Sequence, residues 1–193
     1  MYALSEVDGV VRVEPKLFGQ DLSQAIAEQL ETTYVGQVDN ELGRIIKIID
    51  VLKIGEGIIV PGDGAAFYKV IFTAIHFRPV VNELVEGEIR DIAKFGAFIE
   101  FGPFEGMVHV SQTMDDFVSV SKEGTLQGKE SKKVLKKGDK VRARIVAVSI
   151  KDTNEPKIGL TMRQEYLGKT EWITEQIKKE AKESAKLAKA GKK

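Results

Sequence analysis

Residues 94–111 read KFGAFIEFGPFEGMVHVS. The middle of this stretch alternates: Ala97, Ile99 and Phe101 fall on one side, Phe98 and Glu100 on the other, the period of a strand with one wet face. Phe98 is thereby expected to face water. Phe95, beside Gly96, stands on the same outer surface, and Gly102-Pro103 turns the chain into a second strand, Met107 to Val110, that carries His109. Two outward rings and an imidazole on adjacent strands make a surface on which unpaired bases stack, because every base offers a π-face. The competing register, with these phenylalanines in the core, would slip the strand by one residue and bury Glu100.

The surroundings carry a recognisable series. Glu86-Gly87-Glu88-Ile89 precedes KFGAFIEF and EGMVHVS, and KGDKVRARI (137–145) and KIGLTMR (157–163) follow. Five strand segments in this order resemble the OB-fold first described in a small-subunit ribosomal protein, the S-one domain. The resemblance covers about Leu84 to Met162. It implies contacts to single-stranded RNA at Phe95, Phe98, His109 and, on the last strand, Lys157. The chain departs from the pattern at Lys151 to Pro156, KDTNEP, where many members have a short turn.

Charge is laid out unevenly along a chain that is neutral overall. Residues 1–80 carry a net −4, residues 81–128 a net −6 and residues 129–193 a net +10. Lys129 to Arg144 alone holds eight basic and two acidic groups, a density suited to phosphate contacts, with Arg142 and Arg144 as its candidates on the strand that follows. A solvated, lysine-rich loop is the competing reading. The absence of cysteine excludes disulfides and thiolate metal sites, and two histidines far apart leave no metal centre to expect. No catalytic group and no cofactor is expected either: no histidine accompanies a likely nucleophile, and Asp115-Asp116 reads as a solvated pair without metal-ligand spacing. With no run of 18 apolar residues, neither a signal peptide nor a membrane span is expected, and the cytoplasm is the expected location.

The first half reads as a different kind of domain. Tyr2 to Val13 is a strand, or two short strands folded at Asp8-Gly9. Asp21 caps a helix running to about Thr32, with Leu22, Ala25, Ile26 and Leu30 at helical spacing. Gly36 to Asp39 and Arg44 to Leu52 supply strands, and Ala66 to Phe77 (AFYKVIFTAIHF) another that is apolar on both faces. One helix cannot cover both faces of a sheet, so apolar surface is left for a partner protein. Between the strands, Ile54 to Gly64 (IGEGIIVPGDG) lacks the Gly-Lys-Ser/Thr ending of a phosphate loop. It is expected to form a rigid, glycine-hinged projecting tip.

The start MYAL, the helix AIAEQL and the run from Asp39 to Ile89 with its IGEGIIVPGDGAA and VVNELVEGEI resemble the E-type (E-prime) stalk family of archaeal DNA-directed RNA polymerase, related to the seventh-type subunits of the nuclear polymerases. The resemblance implies an α+β, truncated ribonucleoprotein-like tip domain (1–82), a five-stranded OB-fold RNA-binding domain (83–164) and a charged helical tail (165–193). It implies docking on the polymerase core through a tip loop with Gly57, Pro61, Gly62, Asp63 and Gly64, and pairing with the small F-type stalk protein in a heterodimer. The partners it implies are thus the RNA polymerase core subunits, the F-type stalk protein and single-stranded RNA, with no membrane. The tail reads as a helix from about Thr170 to Ala188, too sparsely apolar to pack and left in solvent. A free-standing RNA-binding factor of translation or RNA decay is the alternative, and it would use only the stacking platform.

Overall fold

The computed structural model describes residues 1–121, 124–150 and 156–190, the last eight of these by their backbone alone. The chain divides into two units, Met1–Pro79 and Val80–Ser149 with the chain from Pro156 onward.

In the first unit, β1 (Tyr2–Val13) leads through a single turn of 3-10 helix at Pro15 to α1 (Leu22–Tyr34), then β2 (Val38–Asp39), β3 (Gly43–Ile59) and β4 (Ala66–Phe77). The strands form one antiparallel sheet in the order β1-β4-β3-β2. The expected cap is present: the Asp21 carboxylate accepts from the Ser23 and Gln24 amides at 3.0 and 3.2 Å, satisfying two of the orphan donors of the first turn. Ala25, Ile26 and Leu30 then bury against Val11, Ile45, Ile48, Val70 and Phe72. Each large side chain fully buried there stabilises the unit by roughly 1.5–3 kcal/mol.

β1 is one continuous strand, not a hairpin. Asp8 and Gly9 pair with Ile71 and Val70 in unbroken register, and Gly9 serves the helix instead. A Cβ at Gly9 would meet the Tyr34 hydroxyl oxygen at 2.7 Å, and that hydroxyl donates to the Val10 carbonyl at 3.2 Å. β3 also runs farther than expected, through Ile54 to Ile59. It does so by repeated register shifts after Ile45, Ile48, Val51 and Ile54. Such bulges add residues on one strand and coil it. The result is an inward side chain every third residue, Ile45, Ile48, Val51 and Ile54, all packed in the core.

β4 is apolar on both faces; the helix-facing side is fully buried through Val70, Phe72 and Ala74, while on the other face burial is complete only at the strand's end, at Phe77 against Tyr2. On the other face Ile71 and Ile75 are half-buried, and Leu4, the cross-strand neighbour of Ile75, is 63% exposed.

The second unit is built on β5 (Leu84–Ala93), β6 (Gly96–Phe101), β7 (Phe104–His109), β11 (Lys140–Ser149) and β12 (Lys157–Thr161). Their order is β12-β7-β6-β5-β11, and pairing of β11 with β12 closes the barrel. The pair β7–β12 is parallel and the others antiparallel. Ala97, Ile99, Phe101, Phe104, Val108, Ile145 and Leu160 are buried in its interior. The register is the one the alternation implies, since Ile99 is buried while Glu100 is exposed.

Between β7 and β11 lies a sheet that the sequence did not announce: β8 (Val118–Val120), β9 (Leu126–Gly128) and β10 (Val134–Leu135), in the order β10-β9-β8. Leu126, Leu135 and Met114 are buried here. The Asp115-Asp116 pair is structural and not merely solvated. The Asp116 carboxylate accepts from the Ser131 amide (2.9 Å), the Ser131 hydroxyl (2.8 Å) and the Glu130 amide (3.0 Å). These donors, the Ser131 amide first, hold its carboxyl below the usual aspartate range. Asp115 pairs with Arg163 at 2.8 Å.

The tail is corrected as well. β13 (Gly168–Lys169) pairs with β11, and α2 (Thr170–Ala190) starts docked on the barrel. Ile173 is buried, and the Thr170 hydroxyl donates to the Lys140 carbonyl at 3.1 Å. Lys169 bridges Glu171 at 2.8 Å and the buried Asp139 at 3.1 Å, and both raise its pKa, the Glu171 hydrogen bond most. No described helix is long and apolar enough to cross a membrane.

Candidate nucleic-acid interface

Phe95 and Phe98 stand together on the outside of the barrel, with ring centroids 6.0 Å apart and planes at 87°. This edge-to-face arrangement is a favourable one for aromatic pairs and fixes each ring against the other. Phe95 is 52% exposed and Phe98 half-buried. The turn that carries Phe95 is anchored by its carbonyl, which accepts from the Val110 amide at 2.9 Å.

His109 lies one strand over, opposite Gly96. The Ser111 amide donates to its Nδ1 at 3.3 Å. The Ser111 hydroxyl lies closer, 2.9 Å from Nδ1, so Nδ1 is engaged within its own turn. The same outward row includes two residues the sequence reading passed over, Met107 opposite Phe98 and Gly159 opposite Met107. Met107 was legible in the alternation of MVHV; Gly159 has no side chain to signal with.

The other candidates are distributed differently. Lys157 is exposed on β12 but lies two residues before Gly159, away from the His109 end. At that end of the face, Glu88 stands opposite Glu100 and Glu100 opposite Glu105. Arg142 and Arg144 sit on β11, outside the row of rings. The Arg142 guanidinium donates to Glu86 on β5 through Nε (3.0 Å) and an Nη (2.7 Å), so its charge is already paired. Arg144 lies between Leu84 and Thr161, with its buried Nε unpartnered among the described residues. The departing segment Lys151 to Glu155 lies outside the described residues.

In the first unit, the tip is shorter than its glycines suggested. Gly57 is not in the loop: it is paired within β3 opposite Tyr68, and a Cβ there would run into the Tyr68 ring at 2.6 Å. The turn itself holds Pro61, Gly62, Asp63 and Gly64, with positive φ at Gly62 (96°) and Gly64 (71°). Arg12 on β1 braces it, donating to Asp63 at 3.0 and 2.5 Å. That hydrogen bond, foremost, keeps the Asp63 carboxyl below its usual range. By the sign of the shift, the brace is intact above the ordinary aspartate pKa and is lost only at lower pH. Beside the turn, Ile58, Ile59 and Val60 are exposed. A groove of about 380 Å³ opens here, lined by Leu17, Phe18, Leu22, Ile59 and Tyr68 among others.

Two family models match the chain: the SHS2 domain found in the N terminus of Rpb7p and Rpc25p over residues 8–64, and the S1 RNA binding domain over residues 78–151. The DNA-directed RNA polymerase subunit Rpo7 of Saccharolobus solfataricus is 43% identical over 177 residues, which is 91% of this chain and 98% of that protein. The chain belongs to the Rpo7 family. Rpo7 of Sulfolobus acidocaldarius is 37% identical over 94% of this chain and all of that protein. The RNA polymerase II subunit rpb7 of Schizosaccharomyces pombe is 28% identical over 86% and 98%. In Rpo7 terms, the first unit carries the SHS2 domain, and the platform lies on the S1 domain.

Proposed function

We propose that the chain is a non-catalytic stalk subunit of DNA-directed RNA polymerase, which docks on the core through its tip, pairs with the small F-type stalk protein and binds emerging single-stranded RNA on its S1 domain. The observation that carries the RNA reading is the Phe95–Phe98 ring pair on the outside of the barrel, Phe95 exposed and Phe98 half-buried, with His109 on the adjacent strand. The free-standing alternative uses only that face, and it leaves the braced tip and the bare sheet face without a purpose.

The uncovered side of the first sheet supports the pairing. Tyr2, Leu4 and Val10 are each at least half exposed there, more apolar surface than a lone soluble domain commonly leaves bare. The chain alone is expected to bind an apolar dye and to lose that signal on addition of the F-type protein. A dye signal that this protein leaves unchanged would remove the face from the pairing.

Docking is tested at the tip. Apart from the chain neighbours, nothing stands within 4 Å of a Cβ built on Gly62 or Gly64, so valine there is opposed chiefly by backbone conformation. The double substitution is expected to displace the turn at about 1–2 kcal/mol per residue. Recruitment to the polymerase core should fall several-fold while RNA affinity stays at the wild-type value. Unchanged recruitment would take the tip out of the interface.

A further inference from the structure

Phe117 is 79% exposed, the most exposed of the large hydrophobic residues described, yet its backbone is held on both sides. Its carbonyl accepts from the Lys129 amide at 2.9 Å. Just before it, Asp116 clamps the Glu130 and Ser131 amides and Asp115 is paired with Arg163. The held backbone presents the ring to solvent at a fixed point on the surface. The Lys129 ammonium lies 5.9 Å from the ring centroid, at the edge of cation–π range.

We infer that Phe117 and Lys129 form a second single-stranded RNA contact on the inserted sheet, with a base stacked on the ring and its phosphate met by the ammonium. The inference rests on the RNA-binding reading of the platform and extends it. The two are close along the chain. Phe95 and His109 mark one end of the outer face, and Phe117 follows His109 by only eight residues, a reach of no more than about 29 Å. The opposite end of the face carries Glu88, Glu100 and Glu105 together with the exposed Lys157, and Glu105 is paired with Arg90 at 2.9 Å, so acidic groups outnumber basic ones there. An RNA that continues past His109 follows the chain towards the insert.

The setting favours RNA over a protein partner. The centre of a protein interface is apolar and depleted of charge, whereas Phe117 lies between Asp116 and Val118 and is hydrogen-bonded to Lys129, with Asp115 and the Asp116-bound Glu130 close by. Both aspartates are already engaged, by Arg163 and by backbone amides, which leaves Lys129 to meet a phosphate.

The test uses the full chain and two oligouridylates, of about five and about fifteen nucleotides, at the short and long ends of OB-fold site sizes. Phe117→Ala is expected to bind the short RNA as the wild type does and the long RNA about 5- to 20-fold more weakly. Phe117→Trp should restore long-RNA affinity, and the emission it adds to that of the native Trp172, read against the wild type, should be quenched by the long RNA only. Equal binding of the long RNA by wild type and Phe117→Ala overturns the inference. So does a Phe117→Trp emission that ignores RNA and shifts with polymerase subunits, which assigns the ring to a protein. Phe98→Ala, titrated alongside, reads the platform separately: loss of affinity there with none at Phe117 ends this inference and leaves the platform standing.

Discussion

Replacing Gly96 with alanine is expected to destabilise the S1 unit by about 3 kcal/mol, the upper part of the range for forced overpacking. A Cβ at this position would stand 2.1 Å from the Val108 carbonyl oxygen and 3.1 Å from the His109 Cα. Both are backbone atoms of the paired strand, so no side-chain rotation relieves the clash. β6 and β7 must part where Gly96 faces His109, and that is where Phe95 and His109 are brought together. The melting temperature of this unit should fall by about 10 °C or more, and RNA affinity should be lost with it. Gly159→Ala is the matched control on the same face. Its nearest neighbours would be Ala147 Cβ at 3.5 Å and Val146 Cγ2 at 3.6 Å, ordinary contact distances, so its stability should stay within about 0.5 kcal/mol of wild type. A Gly96→Ala chain that melts like the wild type would refute the close β6–β7 approach.

The barrel was legible because its strands obey a period of two and carry a built-in check. Any register that buried Phe98 also buried Glu100, and the penalty for an unpaired buried carboxylate decides between them. The helix was legible through its cap, where Asp21 does what its position implied. β3 obeyed a different rule. Bulges after Ile45, Ile48 and Val51 convert its pattern to a period of three, so GRIIKIIDVLKI supplied inward residues that alternation alone would have assigned to opposite faces.

Glycine caused the error at the tip. Gly62 and Gly64 are turn glycines with positive φ, but Gly57 exists to let the Tyr68 ring lie across the strand; a glycine needed for space and a glycine needed for φ look alike in sequence. The inserted sheet escaped notice because its strands are two or three residues long, too short for periodicity to register. Among the described side chains of α2 only Ile173 is buried, beside the Lys169–Asp139 bridge just before the helix and with Tyr166 donating to Glu180 farther along, and one buried residue makes no stripe. The platform rings were found from sequence, while the ion pair that occupies Arg142 required Glu86, 56 positions away, to be seen across the strand.

Bases are expected to stack on the Phe95–Phe98 surface, and a titration of single-stranded RNA against the full-length Phe98→Ala chain over a series of salt concentrations reads that stacking. Loss of the ring should weaken binding by about 10- to 100-fold, because a base loses its stacking partner. The slope of log affinity against log salt should stay as in the wild type, since only neutralised phosphates release counterions. Removing the Arg144 charge gives the opposite signature if it meets a phosphate, a slope flatter by about 0.7 per lost contact. Circular dichroism and a cooperative melt like the wild type's should accompany the weakened binding of Phe98→Ala. Wild-type RNA affinity in a folded Phe98→Ala chain would contradict the account.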